Sequence, residues 1–177
     1  MTLVELLDDP GVDGYRFSVE VRDDTFAPKA WVGLYYAHQV VRNPVPVHMF
    51  GKLHFSDKDP ETVVALQHCC MVSPENSEPP LAGPAVIVPG FPPGKQRAER
   101  WRALSVEVNN GKVLSTFDTL ELRNWDLATI AKWAKRLPEL FPPLKNAGPN
   151  IIPRGGLGLY VLNCKASFRN GRVVPVR

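Results

Sequence analysis

Residues 28–41, Pro-Lys-Ala-Trp-Val-Gly-Leu-Tyr-Tyr-Ala-His-Gln-Val-Val, decide the fold class. Pro28 suits the first turn of a helix, where its missing N–H is not needed. Trp31, Leu34, Tyr35, His38 and Val41 then recur at helical spacing. Val40, Val41 and the aromatics would also tolerate a strand. The spacing predicts a helix over 28–41.

On the N-terminal side, Tyr15, Phe17, Val19 and Val21 alternate with Arg16, Ser18, Glu20 and Arg22, which predicts a half-buried strand. Thr2-Leu3-Val4-Glu5 fits a capping box, so residues 1–13 read as an arm with a short helix ended by Pro10 and Gly11. On the C-terminal side, Val47–Phe55 reads as a strand and Val63–Val72 as another strand or a short helix. Leu104–Val108, Asn109-Asn110-Gly111 and Val113–Leu122 predict a hairpin, because Asn-Gly supplies the positive φ of a tight turn. Asn124 or Asp126 can cap a helix whose apolar stripe is Leu127, Ile130, Ala131, Ala134 and Leu137, with Pro138 as its stop. A Pro-rich connection over 138–153 follows. A second hairpin is predicted from Leu157–Phe168, a turn at Asn170-Gly171, and Val173–Val176. The expected architecture is α+β: one domain over 1–177, a largely antiparallel sheet, two main helices and a long Pro-rich loop.

That loop, 73–94, holds seven of the 18 prolines. Its middle, Leu81 to Phe91, is apolar, whereas ordinary linkers are polar. It predicts either an internal strand or a surface docked onto another molecule. In the docking reading, Leu81, Val86, Ile87, Val88 and Phe91 are the self-association residues.

Hydrophobic residues make up 44% and charged residues 22% of 177, an ordinary globular balance. The longest apolar run is far short of a membrane span. Met1–Asp9 lacks a basic n-region, which predicts no secretory signal, and three cysteines are too few for a disulfide framework, which predicts a reducing compartment. The net charge of +3 hides an asymmetry: residues 1–94 carry 6 Lys/Arg against 12 Asp/Glu, and residues 95–177 carry 15 against 6. Such a chain can meet an anionic surface with one region, unless the charges intermix on folding.

No motif dictates a reaction. Cys69 and Cys70 are adjacent, so on a strand they point to opposite faces and make a poor chelating pair. A Cys–His catalytic pair using His38, His48 or His54 is possible in principle, but buried inert thiols are commoner. Gly90-Phe91-Pro92-Pro93-Gly94-Lys95 is one residue short of a phosphate loop and its prolines lack the N–H groups such a loop needs. The expectation is therefore no catalytic residue, no metal and no cofactor. The basic run Lys95, Arg97, Arg100 and Arg102, with Trp101 inside it, has the chemistry for an anionic partner: bidentate arginines and a stacking ring. Lys132, Lys135 and Arg136 form a second cationic group.

In the order of its elements the chain resembles the matrix proteins of rhabdoviruses, and in its length the compact cytorhabdovirus type. Tyr15–Asp23 resembles the first strand, Pro28–Val41 the helix, Val47–Ser56 the next strand and Pro84-Ala85-Val86-Ile87 the apolar loop tip. Ala103–Leu122, Trp125–Leu137 and Leu157–Val176 take the remaining places, with Cys164-Lys165-Ala166-Ser167 the nearest local likeness. The N-terminus departs from the family in being acidic, and no PPxY or P(T/S)AP sequence is present. The resemblance implies a non-enzymatic viral matrix protein that self-associates and bridges a membrane to a nucleocapsid. Its implied partners are further copies of itself, the viral nucleocapsid (through RNA) and an anionic membrane surface bound peripherally as acidic lipid. Its implied places are the virion and the host cytoplasm. Two other readings stand beside it: a soluble protein-interaction or immunity module, and an enzyme with a cysteine–histidine site.

Overall fold

The computed structural model describes residues 1–25, 29–42, 46–57, 62–72, 81–91, 101–122, 125–140, 144–145 and 154–177. They form two antiparallel sheets laid face to face, with one helix. The elements are β1 (Thr2–Leu7), β2 (Tyr15–Asp23), β3 (Trp31–Arg42), β4 (Pro46–Asp57), β5 (Thr62–Val72), β6 (Leu81–Phe91), β7 (Arg102–Asn109), β8 (Lys112–Phe117), β9 (Leu120–Glu121), β10 (Trp125–Asp126), α1 (Leu127–Leu140), β11 (Gly156–Leu162) and β12 (Ala166–Pro175). The larger sheet runs β1-β11-β3-β4-β5-β6. The smaller runs β10-β8-β7-β2-β12, with β9 beside β8.

The expected α+β class with two main helices is therefore corrected to a β-sandwich with a single helix. The decisive segment, 28–41, is where that correction originates: Trp31–Arg42 is the strand β3, paired on both sides, by β11 and β4. The physical reason is burial on both faces. Val32, Leu34 and Tyr36 face the second sheet, while Tyr35 points the other way and is also buried. A strand covered on both faces loses the apolar–polar alternation that marks a half-wet strand. Its apolar residues then satisfy helical spacing by accident. The element order behind the matrix-protein resemblance includes a helix at this place; the chain has a strand there.

Other expectations divide by the same logic. β2 has one wet face and alternates as read, with Tyr15, Phe17, Val19 and Val21 buried. They meet Val32, Leu34, Leu53, Phe55, Val64 and Leu66 across the sandwich. The first hairpin forms, with Asn110 (φ 47°) and Gly111 (φ 75°) as its two left-handed residues. Thr2–Leu7 is a strand instead of a short helix, because β11 offers it an edge to pair with. Val63–Val72 lies in a strand. The apolar middle of the predicted loop is also a strand, β6, paired to β5; residues 73–80 and 92–94 lie outside the described residues. The second Asn-Gly does not reverse the chain. β12 runs through Asn170 and Gly171 as one strand against β2, with its register shifting between Arg169 and Arg172, so this signal marks a bulge.

The helix begins as expected: Asp126 Oδ1 accepts from the Ala128 amide at 2.9 Å. Pro138 sits inside its last turn instead of ending it. Ala134 and Leu137 pack on Val47, Met49 and Cys70 of the larger sheet. Among the described residues, no helix is long and apolar enough to cross a membrane.

A candidate ligand face on the larger sheet

The outer face of the larger sheet, turned away from the sandwich core, gathers rings and hydrogen-bonding side chains. Cross-strand register arranges them in rows. One row reads Leu3, Tyr160, Gly33, His54, Ala65, Ile87. The next reads Glu5, Gly158, Tyr35, Lys52, Gln67, Ala85. Trp31 flanks the first row and Phe50 and Cys69 the second. Two glycines allow close approach within this face. A Cβ on Gly158 would overlap the Tyr35 ring and the Val4 carbonyl, and one on Gly33 would overlap the Leu53 carbonyl. Past Tyr36 a bulge with Ala37 at φ 54° shifts the register of β3. That shift places His38 beside Glu5 and His48.

The centre of the face is polar and closed to solvent. Lys52 Nζ donates to the Tyr160 hydroxyl at 3.2 Å and lies 4.4 Å from the Tyr160 ring centroid. The His54 ring lies 4.5 Å from Trp31 and 5.3 Å from Tyr160, centroid to centroid. Neither His54 ring nitrogen has a hydrogen-bond partner, although both are buried. Lys52 and His54 are each 4% exposed. Trp31, His38, His48 and Gln67, at the margins, are part-exposed, and Glu5 is exposed.

At one margin runs a relay. Glu5 Oε2 lies 3.1 Å from His38 Nδ1, and His38 Nε2 lies 2.9 Å from His48 Nδ1 with the rings stacked. Glu5 as a carboxylate only accepts, so His38 Nδ1 carries the proton there.

Burial governs the titrations. Burial, and then the Lys52 charge, hold the His54 imidazole well below its usual range. Burial lowers Lys52 and His48 and takes His68, on the inner face, down to about 3. It pushes the Cys70 thiol up to about 12 and raises Cys69 and Cys164, which favours inert thiols over thiolate nucleophiles. Among the described residues, no group of three or more His, Cys, Asp and Glu side chains is placed to hold a metal ion.

The residues expected to meet an anionic partner are dispersed. Lys95, Arg97 and Arg100 lie outside the described residues. Arg102 is turned inward: it is 3% exposed and pairs with Asp118 at 2.9 Å and Asp57 at 3.5 Å. Trp101 lies on the other sheet, with the Arg22 and Arg169 guanidinium carbons 5.0 and 4.1 Å from its ring centroid. Lys132, Lys135 and Arg136 are exposed on α1. Of the expected self-association residues, Val86 and Val88 are half-buried and Ile87 is 63% exposed. Leu81 and Phe91 are paired to Cys70 and Thr62 through β6, and their side chains are not described.

The face itself was not singled out from sequence. His48, Phe50, Lys52 and His54 do sit at alternate positions of a predicted strand, and that was the available signal. Trp31, Tyr35 and Tyr160 join them only through pairing, which leaves no local trace.

No family model matches the chain and no curated protein matches it. Among solved structures it is similar to the carbohydrate-binding module CBM66 from Bacillus subtilis. The identity is 9%, with 92% of this chain and 75% of that one covered, at a TM-score of 0.50. A sheep galectin-11 complex with glycerol aligns at 7% identity over 98% of this chain and 95% of that one, at a TM-score of 0.49. At such identities the first likeness speaks for the fold alone.

Proposed function

We propose that this protein is a non-catalytic saccharide-binding β-sandwich whose ligand lies on the outer face of the larger sheet. The observation that carries this reading is the buried His54 imidazole with two unused nitrogens, set among Trp31, Tyr160 and Lys52. Buried polar atoms are nearly always hydrogen-bonded, so these two nitrogens call for a partner. A saccharide suits the surroundings. Its C–H faces pack on flat rings, and its hydroxyls both donate and accept, as a neutral imidazole requires. Similarity to a carbohydrate-binding module supports the reading weakly, because one fold hosts many functions. The raised thiols support a binding role over a cysteine-based reaction.

The centre of the face is buried, and Trp31, His38, His48 and Gln67 at its margins are part-exposed. Calorimetric titration with a panel of neutral and acidic oligosaccharides tests this. At least one member should bind, Trp31→Ala and His54→Ala should each weaken it at least tenfold, and both variants should remain folded. Binding that both variants leave unchanged would place the ligand elsewhere.

A second reading, the self-associating matrix protein, has its own observation: Ile87 is exposed on β6, a strand at the edge of the larger sheet, and edges are templates for pairing. The exposed Lys132, Lys135 and Arg136 would serve its anionic partners, nucleocapsid RNA or acidic lipid. Light scattering across protein concentration tests it: growth of mass that Ile87→Lys abolishes supports it, and a constant monomer mass overturns it.

A further inference from the structure

We infer that the ligand carries a carboxylate, held by Lys52 and Tyr160 at the centre of this face. The inference rests on the saccharide-face reading and narrows it to acidic sugars.

Lys52 is buried without a counter-charge among the described residues. Its hydrogen-bond partner is the neutral Tyr160 hydroxyl, and the Cys69 thiol, which attracts its charge, is itself pushed up by burial. Glu5 stands in the same cross-strand row, but three strand spacings away, about 14 Å, and its carboxylate is engaged by His38. Buried ammonium groups are ordinarily paired, since desolvating a lone charge is expensive.

The geometry supplies what an acidic sugar needs. Lys52 offers a cation on a flexible stem with a donor to spare. The Tyr160 hydroxyl accepts from Lys52 and keeps its own proton to donate. His54, two residues along the same strand, sits about 7 Å from Lys52 on the same face. As a neutral ring it offers one N–H and one acceptor nitrogen, which suits a ring hydroxyl next to the carboxylate. Trp31, beside His54, supplies a surface for the sugar ring. A wholly neutral saccharide would leave the Lys52 charge uncompensated.

The test uses oligomers of galacturonate, glucuronate and mannuronate, each beside its methyl ester, titrated into the full chain. The ester removes the charge and keeps the sugar. At least one free acid should bind ten or more times tighter than its ester. Lys52→Met should reduce acid binding to the level of the ester. The same variant removes an uncompensated buried charge, so its melting temperature should not fall. Acid and ester bound equally, with dependence on Trp31 retained, would overturn the carboxylate and leave the saccharide face standing. Binding of no member of either series would overturn both.

Discussion

His68 and His54 show how far single residues are set by their surroundings. Each is a base whose folded pKa lies below its unfolded value near 6.5. Above that value both states are neutral and the histidines cost nothing. As pH falls below it the unfolded chain takes up protons that the fold refuses. For His68 this continues to about pH 3. Each buried imidazole therefore lowers stability by about 1.4 kcal/mol per pH unit in this window. Thermal melts between pH 7 and 4 should show a steep fall, and His68→Gln should flatten it. A slope unchanged in the variant would mean that His68 is protonated in the fold. Arg102 makes the converse case. It holds Asp118 and Asp57 and donates to Thr62 Oγ1 at 3.2 Å. Arg102→Ala should cost on the order of 3 kcal/mol by taking a buried guanidinium away from Asp118 and Asp57. Arg102→Lys should recover only part of this, since an ammonium lacks the guanidinium fork. A neutral Arg102→Ala would show the pairing to be dispensable.

At the scale of elements, β6 gives the sharpest expectation. Ile87 and Val88 are neighbours, so on a strand they face opposite ways. Ile87 is exposed, and Val88 packs against the core. Ile87→Lys should leave the melting temperature within about a degree or two, and Val88→Lys should lower the unfolding free energy by roughly 2 kcal/mol or more. Equal tolerance of both would mean the segment does not pair with β5. The same alternation explains what was legible in sequence. β2 and β7 each have a wet face, and their pattern announced two strands. β3 and β4 are buried on both faces, and β3 passed for a helix. Asn110-Gly111 and Asn170-Gly171 carry one local signal with two outcomes, because only the first is flanked by strands that pair with each other. The candidate face was legible only along β4. Tyr160 stands opposite Gly33, and Gly33 opposite His54, pairings that bring together residues over 100 positions apart.

For the whole molecule, the sandwich has one sheet wet on its outer face and one whose central strands β3 and β4 are largely buried on both, with exposed edges at β1 and β6. Among the described residues, charges of the acidic first half and the basic second half meet one another. Arg16 pairs with Glu107, Glu20 with Arg169, and Asp9 with Arg154, so charges of the two halves interleave across the pairings. These pairs are exposed and each is worth little. Stability measured from 0.05 to 0.5 M salt (about the range over which such pairs are screened) should therefore change little. The candidate face lies on the other sheet, where burial, not surface charge, sets the chemistry. Chemical-shift mapping of the labelled chain during titration with a saccharide that binds is the most direct test of that assignment. The account predicts that the largest shifts fall on the Trp31 indole and on Tyr35, Lys52, His54 and Tyr160. Shifts confined to Trp101, Arg22 and Arg169 on the opposite sheet would contradict it.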